Sequence, residues 1–135
     1  MKASGRFVAV IAGPLALTAG AASPKTISFV SVVAKEKQMS SNTFVQYGND
    51  LSGKKKIGTD VFKCTVTKGG TLYVCTDVVT LTGGSIKMAA QIGSKETSGS
   101  LKVTGGTGMY AKATGSASFK QLGKDTKTDI TIKLA

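Results

Sequence analysis

The chain contains no histidine and no tryptophan, and its 135 residues include two cysteines and two prolines. The absence of histidine excludes Ser-His-Asp and Cys-His catalytic arrangements and removes the commonest transition-metal ligand. Two cysteines 11 positions apart do not make a zinc site without further ligands. We therefore expect no metal, no cofactor and no hydrolase-type chemistry.

Acidic residues are also scarce. The chain has 7 Asp and Glu and 18 Lys and Arg, which gives a formal net charge of +11. Every basic residue after Arg6 is a lysine, which lacks the planar fork that favours phosphate and base recognition. Without tryptophan, and with 6% aromatic residues, the chain offers no stacking platform for single-stranded nucleic acid. We expect no specific nucleic-acid partner. The positive charge indicates either a solvated basic surface or weak binding to anionic surfaces such as a cell wall, polysaccharide or lipid.

Long apolar runs are missing except at the N-terminus, where Lys2 and Arg6 precede an apolar run over residues 7–20 and a small-residue cleavage site. This pattern is typical of a secretory signal peptide, since the run is too short and wrongly flanked for a transmembrane helix. An N-terminal core helix is the alternative. We predict a signal peptide over 1–22 and one secreted, extracellular domain over 23–135, with no membrane span. That domain has 16 lysines and 7 acidic residues, a net charge of +9.

What the chain has in abundance is glycine and strand-forming residues. The segments VFKCTVT and TLYVCTDVVTLT flank Gly69-Gly70, a strong two-residue hairpin signal. This turn pairs Cys64 with Cys75 and Phe62 with Asp77. Alternate residues of a strand share a face. One face of the hairpin therefore collects Phe62, Cys64, Val66, Tyr73, Cys75, Asp77, Val79 and Leu81.

The two cysteines predict a disulfide between Cys64 and Cys75, because an even cysteine count in an exported chain indicates disulfide pairing. Counting from a two-residue turn places them at a hydrogen-bonded pair, where side chains are farther apart. Either the turn is one residue longer or the disulfide is strained.

A second turn at Gly83-Gly84 extends the same apolar face, with Val79 opposite Met88 and Asp77 opposite Ala90. The later segments SGSLKVT, TGSASFKQL and TDITIKL alternate in the same way. Seven or eight short antiparallel strands with close turns predict an all-β fold, a meander closed into a small β-barrel.

Two glycine-rich segments resemble phosphate-binding loops. The first, GTGMYA (106–111), fits the dinucleotide pattern, but that site needs a following helix and Gly115 interrupts one almost at once. The second, GNDLSGKK (48–55), has Lys55 where a Ser or Thr would hold magnesium, and a turn and strand follow it. We interpret both as structural turns.

Asp77 is the most informative single residue, because it interrupts an apolar face. Burying a carboxylate is costly unless it is paired or protonated. One interpretation is structural, with Asp77 hydrogen-bonded to a tyrosine or a backbone amide, or turned outward by a bulge. The other is functional, with Asp77 as a general acid or polar anchor inside a lumen, and therefore our catalytic candidate. The ligand-binding candidates are Tyr73, Phe62, Met88 and Tyr47.

Several segments resemble a known family. VTGGTGMYAKATG resembles the signature GGTG-x-[YF]-x-x-A-x-G of plant allene oxide cyclases, dirigent proteins and their bacterial relatives. GNDLSGKKKIGTDVFKCTV, LYVCTDVVTLTGGSIKMAAQI and DITIKL are similar to further family segments in the same order. The resemblance covers about Thr43 to Leu134. It implies an eight-stranded antiparallel barrel with a hydrophobic cavity, and a homo-oligomer, since the plant proteins are often trimers.

The resemblance also implies a function. Allene oxide cyclases hold a fatty-acid epoxide for ring closure and dirigent proteins orient radicals for coupling, both chiefly by confinement. We expect a secreted barrel that binds a small hydrophobic molecule in its lumen and steers cyclisation or coupling; as an enzyme it is an isomerase or cyclase. The polar residues of the plant pockets have no residue-by-residue match here, so the reaction stays open. The alternative is a non-catalytic secreted binding or cell-surface barrel with a basic surface.

A cavity volume separates these two functions. A pocket of about 300 Å³ or more favours the ligand-binding barrel. The alternative predicts a lumen filled by Phe62, Met88, Leu101 and Phe119. In either barrel GGTGMY is a glycine corner between strands, with Tyr110 as a packing plug and with Gly105, Gly106, Gly108 and Gly115 as its structural glycines.

Overall fold

The computed structural model describes residues 25–123 and 126–135. The predicted signal peptide lies outside the described residues. Eight β-strands follow one another along the chain: β1 Lys25–Gln38, β2 Thr43–Ser52, β3 Lys55–Thr67, β4 Leu72–Leu81, β5 Gly84–Gly93, β6 Ser98–Gly108, β7 Gly115–Gln121 and β8 Lys127–Leu134. One short 3-10 turn, Lys68–Gly70, lies between β3 and β4.

The eight strands form one closed barrel in which each strand pairs antiparallel with the next and β8 pairs with β1. The predicted all-β meander barrel is therefore confirmed, with eight strands. Closure leaves no unpaired sheet edge, which removes the usual site of strand-to-strand aggregation. Within the described residues, no helix is long and apolar enough to cross a membrane.

The β3–β4 hairpin has the predicted register, with Cys64 opposite Cys75 and Phe62 opposite Asp77. Cys64 and Cys75 form the predicted disulfide. Their Cα atoms are 4.1 Å apart, the close spacing of a non-hydrogen-bonded pair. The hydrogen-bonded position predicted from a two-residue turn is wrong, because the connection runs over residues 68–71.

The predicted β4–β5 register is wrong by two residues. Asp77 faces Met88 rather than Ala90, because the turn is Thr82-Gly83 and Gly84 already belongs to β5. Gly84 pairs with Gly108 of β6, and a Cβ on Gly84 would collide with the carbonyl oxygen of Thr107. A shift of two residues preserves the inward and outward faces, so the predicted apolar face is still continuous.

The side chains inside the barrel are packed at one end and leave space at the other. The packed end is a cluster of ten buried residues: Phe29, Val79, Ile86, Met88, Leu101, Val103, Tyr110, Ala117, Ile130 and Ile132. Tyr110 is buried in this cluster. The GGTG glycines lie at the end of β6 and not in a corner between two strands, because the connection to β7 begins only at Met109. A second, smaller cluster surrounds the disulfide and consists of Cys64, Cys75 and Ile92. Between and beside these clusters the barrel interior is open.

Candidate functional site

A cavity of about 510 Å³ occupies the open half of the barrel. Its mouth is formed by exposed residues of β1 and the β5–β6 loop, among them Glu36, Lys95 and Glu96. Its walls combine aromatic and polar side chains, and the polar residues of its inner end are buried. The aromatic wall residues are Phe44, Phe62, Tyr73 and Phe119, and the polar inner residues are Ser31, Asp60 and Asp77.

The structure brings three of the five candidate site residues to this cavity. Asp77, Phe62 and Tyr73 line it. Met88 does not, because it is buried in the packed cluster at the other end of the barrel. Tyr47 does not line the cavity either, since it lies on the outer face of β2 and is 40% exposed.

Tyr47 points outward because the inward face of β2 is the more polar one. Its inward residues Phe44, Gln46 and Gly48 line the cavity. The residues between them, Val45 and Tyr47, lie on the opposite face, where Tyr47 is 40% exposed and Val45 is buried. The usual inference that apolar residues face inward therefore fails on this strand, because this strand faces the polar end of the cavity.

Three aspartates on adjacent strands share the inner end of the site. Asp50 of β2, Asp60 of β3 and Asp77 of β4 are 0%, 5% and 2% exposed. The Ser31 hydroxyl on β1 donates a hydrogen bond of 2.7 Å to Oδ1 of Asp60. Gly48 lies opposite Asp60 and makes room for it, since a Cβ there would lie 2.5 Å from Asp60 Oδ1.

Burial raises the pKa values of two of these carboxyl groups. The pKa of Asp77 is well above its ordinary value, first because burial disfavours the charged form and next because Asp60 and Asp50 add negative charge. The backbone amide of Val78 acts in the opposite direction. Burial and the neighbouring Asp60 carboxyl raise the pKa of Asp50 to about 9.

The described residues give this cluster few hydrogen-bond donors. Both carboxyl oxygens of Asp50 and Oδ1 of Asp77 are buried without a donor among the described residues. Lys54 of the β2–β3 turn and Lys55 and Lys56 at the start of β3 are exposed and do not line the cavity. Buried oxygens without donors favour a protonated carboxyl, which removes the charge and can itself donate to a neighbouring oxygen.

The sequence analysis missed Asp50, Asp60 and Ser31. A signal for Asp60 was present, because it lies two residues before Phe62 and so shares its face. The inward position of Asp50 could not be predicted, since GNDLSGKK resembles a polar loop and the strand register of this segment depends on β3. Ser31 lies in β1, whose inward face becomes defined only when β1 closes the barrel against β8 and β2.

The arrangement places a carboxyl group at the buried inner end of a cavity that has aromatic side chains in its walls. A carboxylic acid that stays protonated at neutral pH can hydrogen-bond a carbonyl, epoxide or ether oxygen, or transfer a proton to it. Asp77 is placed for this because its pKa is raised and it lines the cavity, whereas Asp50 does not line it. Among the described residues, no group of three or more His, Cys, Asp or Glu is arranged to hold a metal ion.

No protein-family model matches the chain, and comparison with curated proteins finds no similar sequence. Solved structures with the same architecture include a pyocyanin demethylase, with a TM-score of 0.69 and 18% identity, covering 82% of this chain and 100% of that one. A pterocarpan synthase dirigent protein has a TM-score of 0.69 and 14% identity, over 83% of this chain and 89% of that one. The chain has the dirigent-type barrel fold. An exo-specific intermolecular Diels-Alderase also has it, with a TM-score of 0.66 and 13% identity, over 84% of this chain and 98% of that one.

These identities establish a common fold and leave the activity of this chain open. The fold implied by the sequence resemblance is confirmed by the dirigent protein and the Diels-Alderase.

Proposed function

We propose that this protein is a secreted barrel that binds a small, largely apolar molecule in its cavity and steers its cyclisation or coupling. The bound molecule packs against the aromatic walls and places one polar atom at Asp77. The observation that carries this proposal is the cavity, which has exposed residues at its mouth, four aromatic side chains in its walls and two aspartates at its buried inner end.

The volume supports a ligand-binding site. A cavity of about 510 Å³ falls within the range of about 300–1,000 Å³ usual for small-molecule sites. Phe62, Leu101 and Phe119 line this space and do not fill it. The alternative of a filled, non-catalytic barrel is therefore not favoured.

The chemistry supports steering by confinement with help from one acid. Rigid barrel walls hold a flexible molecule in a reactive conformation, which lowers the entropic part of the barrier. Asp77 fixes the orientation of the bound molecule by a hydrogen bond to one of its polar atoms. The structural neighbours are named as a demethylase, a pterocarpan synthase and a Diels-Alderase, so this fold accommodates several reactions.

Secretion is part of the proposal and rests on the sequence pattern of residues 1–22 and on the disulfide. A disulfide persists in oxidising compartments and is rare in the cytosol. The buried Cys64–Cys75 bridge fits a protein that folds outside the cytoplasm.

Ligand binding is tested with the neutral apolar dye N-phenyl-1-naphthylamine, whose fluorescence increases in apolar surroundings. We expect a saturable increase with the wild-type protein. The variant Gln46→Trp puts a bulky side chain into the cavity and should abolish it, whereas Tyr47→Trp changes the next residue on the outer face and should leave it intact. Equal binding by both variants, or no saturable signal from the wild type, would refute the proposal.

A further inference from the structure

Acidic and basic side chains are distributed differently between the barrel interior and its surface. Among the described acidic residues, Glu36, Asp60, Asp77 and Glu96 line the cavity. Of the lysines whose side chains the structure describes, Lys95 alone lines it. In a chain with a formal net charge of +11, four of the six acidic residues that the structure describes thus lie around one cavity.

The inner end of the cavity also holds a buried carboxyl group with an oxygen that has no hydrogen-bond partner among the described residues. Asp77 lines the cavity, is 2% exposed, and its buried Oδ1 has no donor among the described residues. The Ser31 hydroxyl is already engaged with Asp60. A buried acceptor without a donor is costly, and a ligand N–H at this position would remove that cost.

We propose that the molecule bound in the cavity carries a basic nitrogen, and that its protonated form pairs with Asp77 and Asp60 at the inner end. This inference rests on the proposed function, because it specifies the ligand class of the same site. A carboxylate ligand of fatty-acid type is disfavoured there, since its charge would lie beside two aspartates without a compensating cation.

The protonation of Asp77 in the empty site determines whether ligand binding releases a proton. Burial and neighbouring carboxyls raise the pKa of Asp77 well above its ordinary value, which favours the protonated carboxyl in the empty site. When an ammonium group binds, Asp77 releases that proton to solvent and its carboxylate accepts the ligand N–H. The other ionisable groups around it are Asp60, Asp50 and Tyr73, with Glu36, Lys95 and Glu96 at the mouth.

The test uses three probes of nearly equal size: 1-naphthylmethylammonium, 1-naphthylmethanol and 1-naphthoate. Isothermal titration at pH 7 should show that the ammonium binds about tenfold more tightly than the alcohol, as expected for a buried charge pair, and that the naphthoate binds most weakly. Titrations in buffers of different ionisation enthalpy should show about one proton released per bound ammonium and none for the alcohol.

The variant Asp77→Asn should reduce the preference for ammonium over alcohol to less than about threefold, because it removes the charge and keeps the shape. Asp129→Asn removes one negative charge from an exposed position of β8 and should leave the preference unchanged. If Asp77→Asn does not fold, the proton release of the wild-type protein decides the question.

The outcomes separate the two proposals. If neither the alcohol nor the ammonium binds, the proposed function itself is wrong. If the alcohol binds as tightly as the ammonium, if naphthoate binds most tightly, or if the ammonium binds without proton release, the basic-nitrogen inference is overturned and the ligand-binding barrel stands.

Discussion

Three buried aspartates on adjacent strands, with no lysine among them, are an expensive arrangement for a protein at neutral pH. Asp50, Asp60 and Asp77 are each at most 5% exposed. Ionising all three would place like charges side by side in a poorly solvated space. The cluster therefore holds protons, and the stability of the fold depends on keeping them.

We predict that stability falls as pH rises. The folded-state pKa values of Asp77 and Asp50 are raised, the latter to about 9, so the folded state binds more protons than the unfolded state above about pH 4. The contribution of these two carboxyl groups to the free energy of unfolding is complete below the pKa that each has in the unfolded chain. It is lost as pH rises through the folded-state pKa, by up to about 1.4 kcal/mol per pH unit for each group. The midpoint of thermal unfolding, followed by circular dichroism, should decrease steadily from pH 4.5 to pH 8.5.

Histidine does not complicate this measurement, because the chain has none. Asp50→Asn should flatten the pH dependence and raise the free energy of unfolding at pH 8 by about 1–3 kcal/mol, the usual cost of an unsatisfied buried polar group. Asp129→Asn, on an exposed position, should leave the slope unchanged. A midpoint that is flat or increases with pH would mean that the carboxyls are ionised and solvated.

For the strands and turns, the two-residue alternation of side chains predicted the inward face better than the residue types of each strand did. The inward position of Asp77 and its pairing with Phe62 followed from a two-residue period and one hairpin turn. The predicted inward and outward faces also remained right despite the wrong β4–β5 register, since that register was wrong by two residues. Composition misled on β2, where Gln46, Gly48 and Asp50 face inward and Tyr47 faces solvent.

Local sequence could not choose between the turns Thr82-Gly83 and Gly83-Gly84. The choice depends on β6, because Gly84 and Gly108 pair so closely that neither has room for a Cβ. A close approach between two strands becomes apparent only when both are placed. For this reason the partner of the GGTG motif on β5 was not identified from the sequence.

Gly108→Ala should destabilise the barrel more than its backbone angle alone requires. Gly108 has φ of 60°, and a Cβ would collide with the carbonyl oxygen of Gly83. Gly53 is the matched control, since its φ is 63° and a Cβ there meets nothing within 4 Å. In urea unfolding, Gly53→Ala should cost about 1–2 kcal/mol for the left-handed conformation, and Gly108→Ala about 1–3 kcal/mol more. Equal losses would show that the β5–β6 contact is loose.

For the molecule as a whole, the barrel architecture could be predicted from the sequence and the state of its interior could not. Eight alternating segments and glycine turns are sufficient to indicate a closed meander. The interior volume, by contrast, depends on side chains from all eight strands together. Leu101 and Phe119 were expected to fill the lumen in one of the two functions considered, and they instead form the wall of a cavity of about 510 Å³.

This division of the barrel into a packed end and an open end is the basis of the functional account. The packed cluster that includes Val79, Ile86 and Ile132 stabilises the fold, so the open end is free to hold a ligand. Rigid β-strands on every side suit a site that works by confinement, because they hold the cavity walls in place.

The most direct test of the account is to locate bound N-phenyl-1-naphthylamine by two-dimensional NMR of the 15N-labelled protein. We predict that the dye shifts the backbone amide signals of the cavity residues Asp77, Ile92 and Leu101. The amides of outward-facing Val61 and Val74, on the same barrel, should shift little. Shifts confined to the outer face, or no shifts at a saturating dye concentration, would contradict the claim that this barrel is a container for a small molecule.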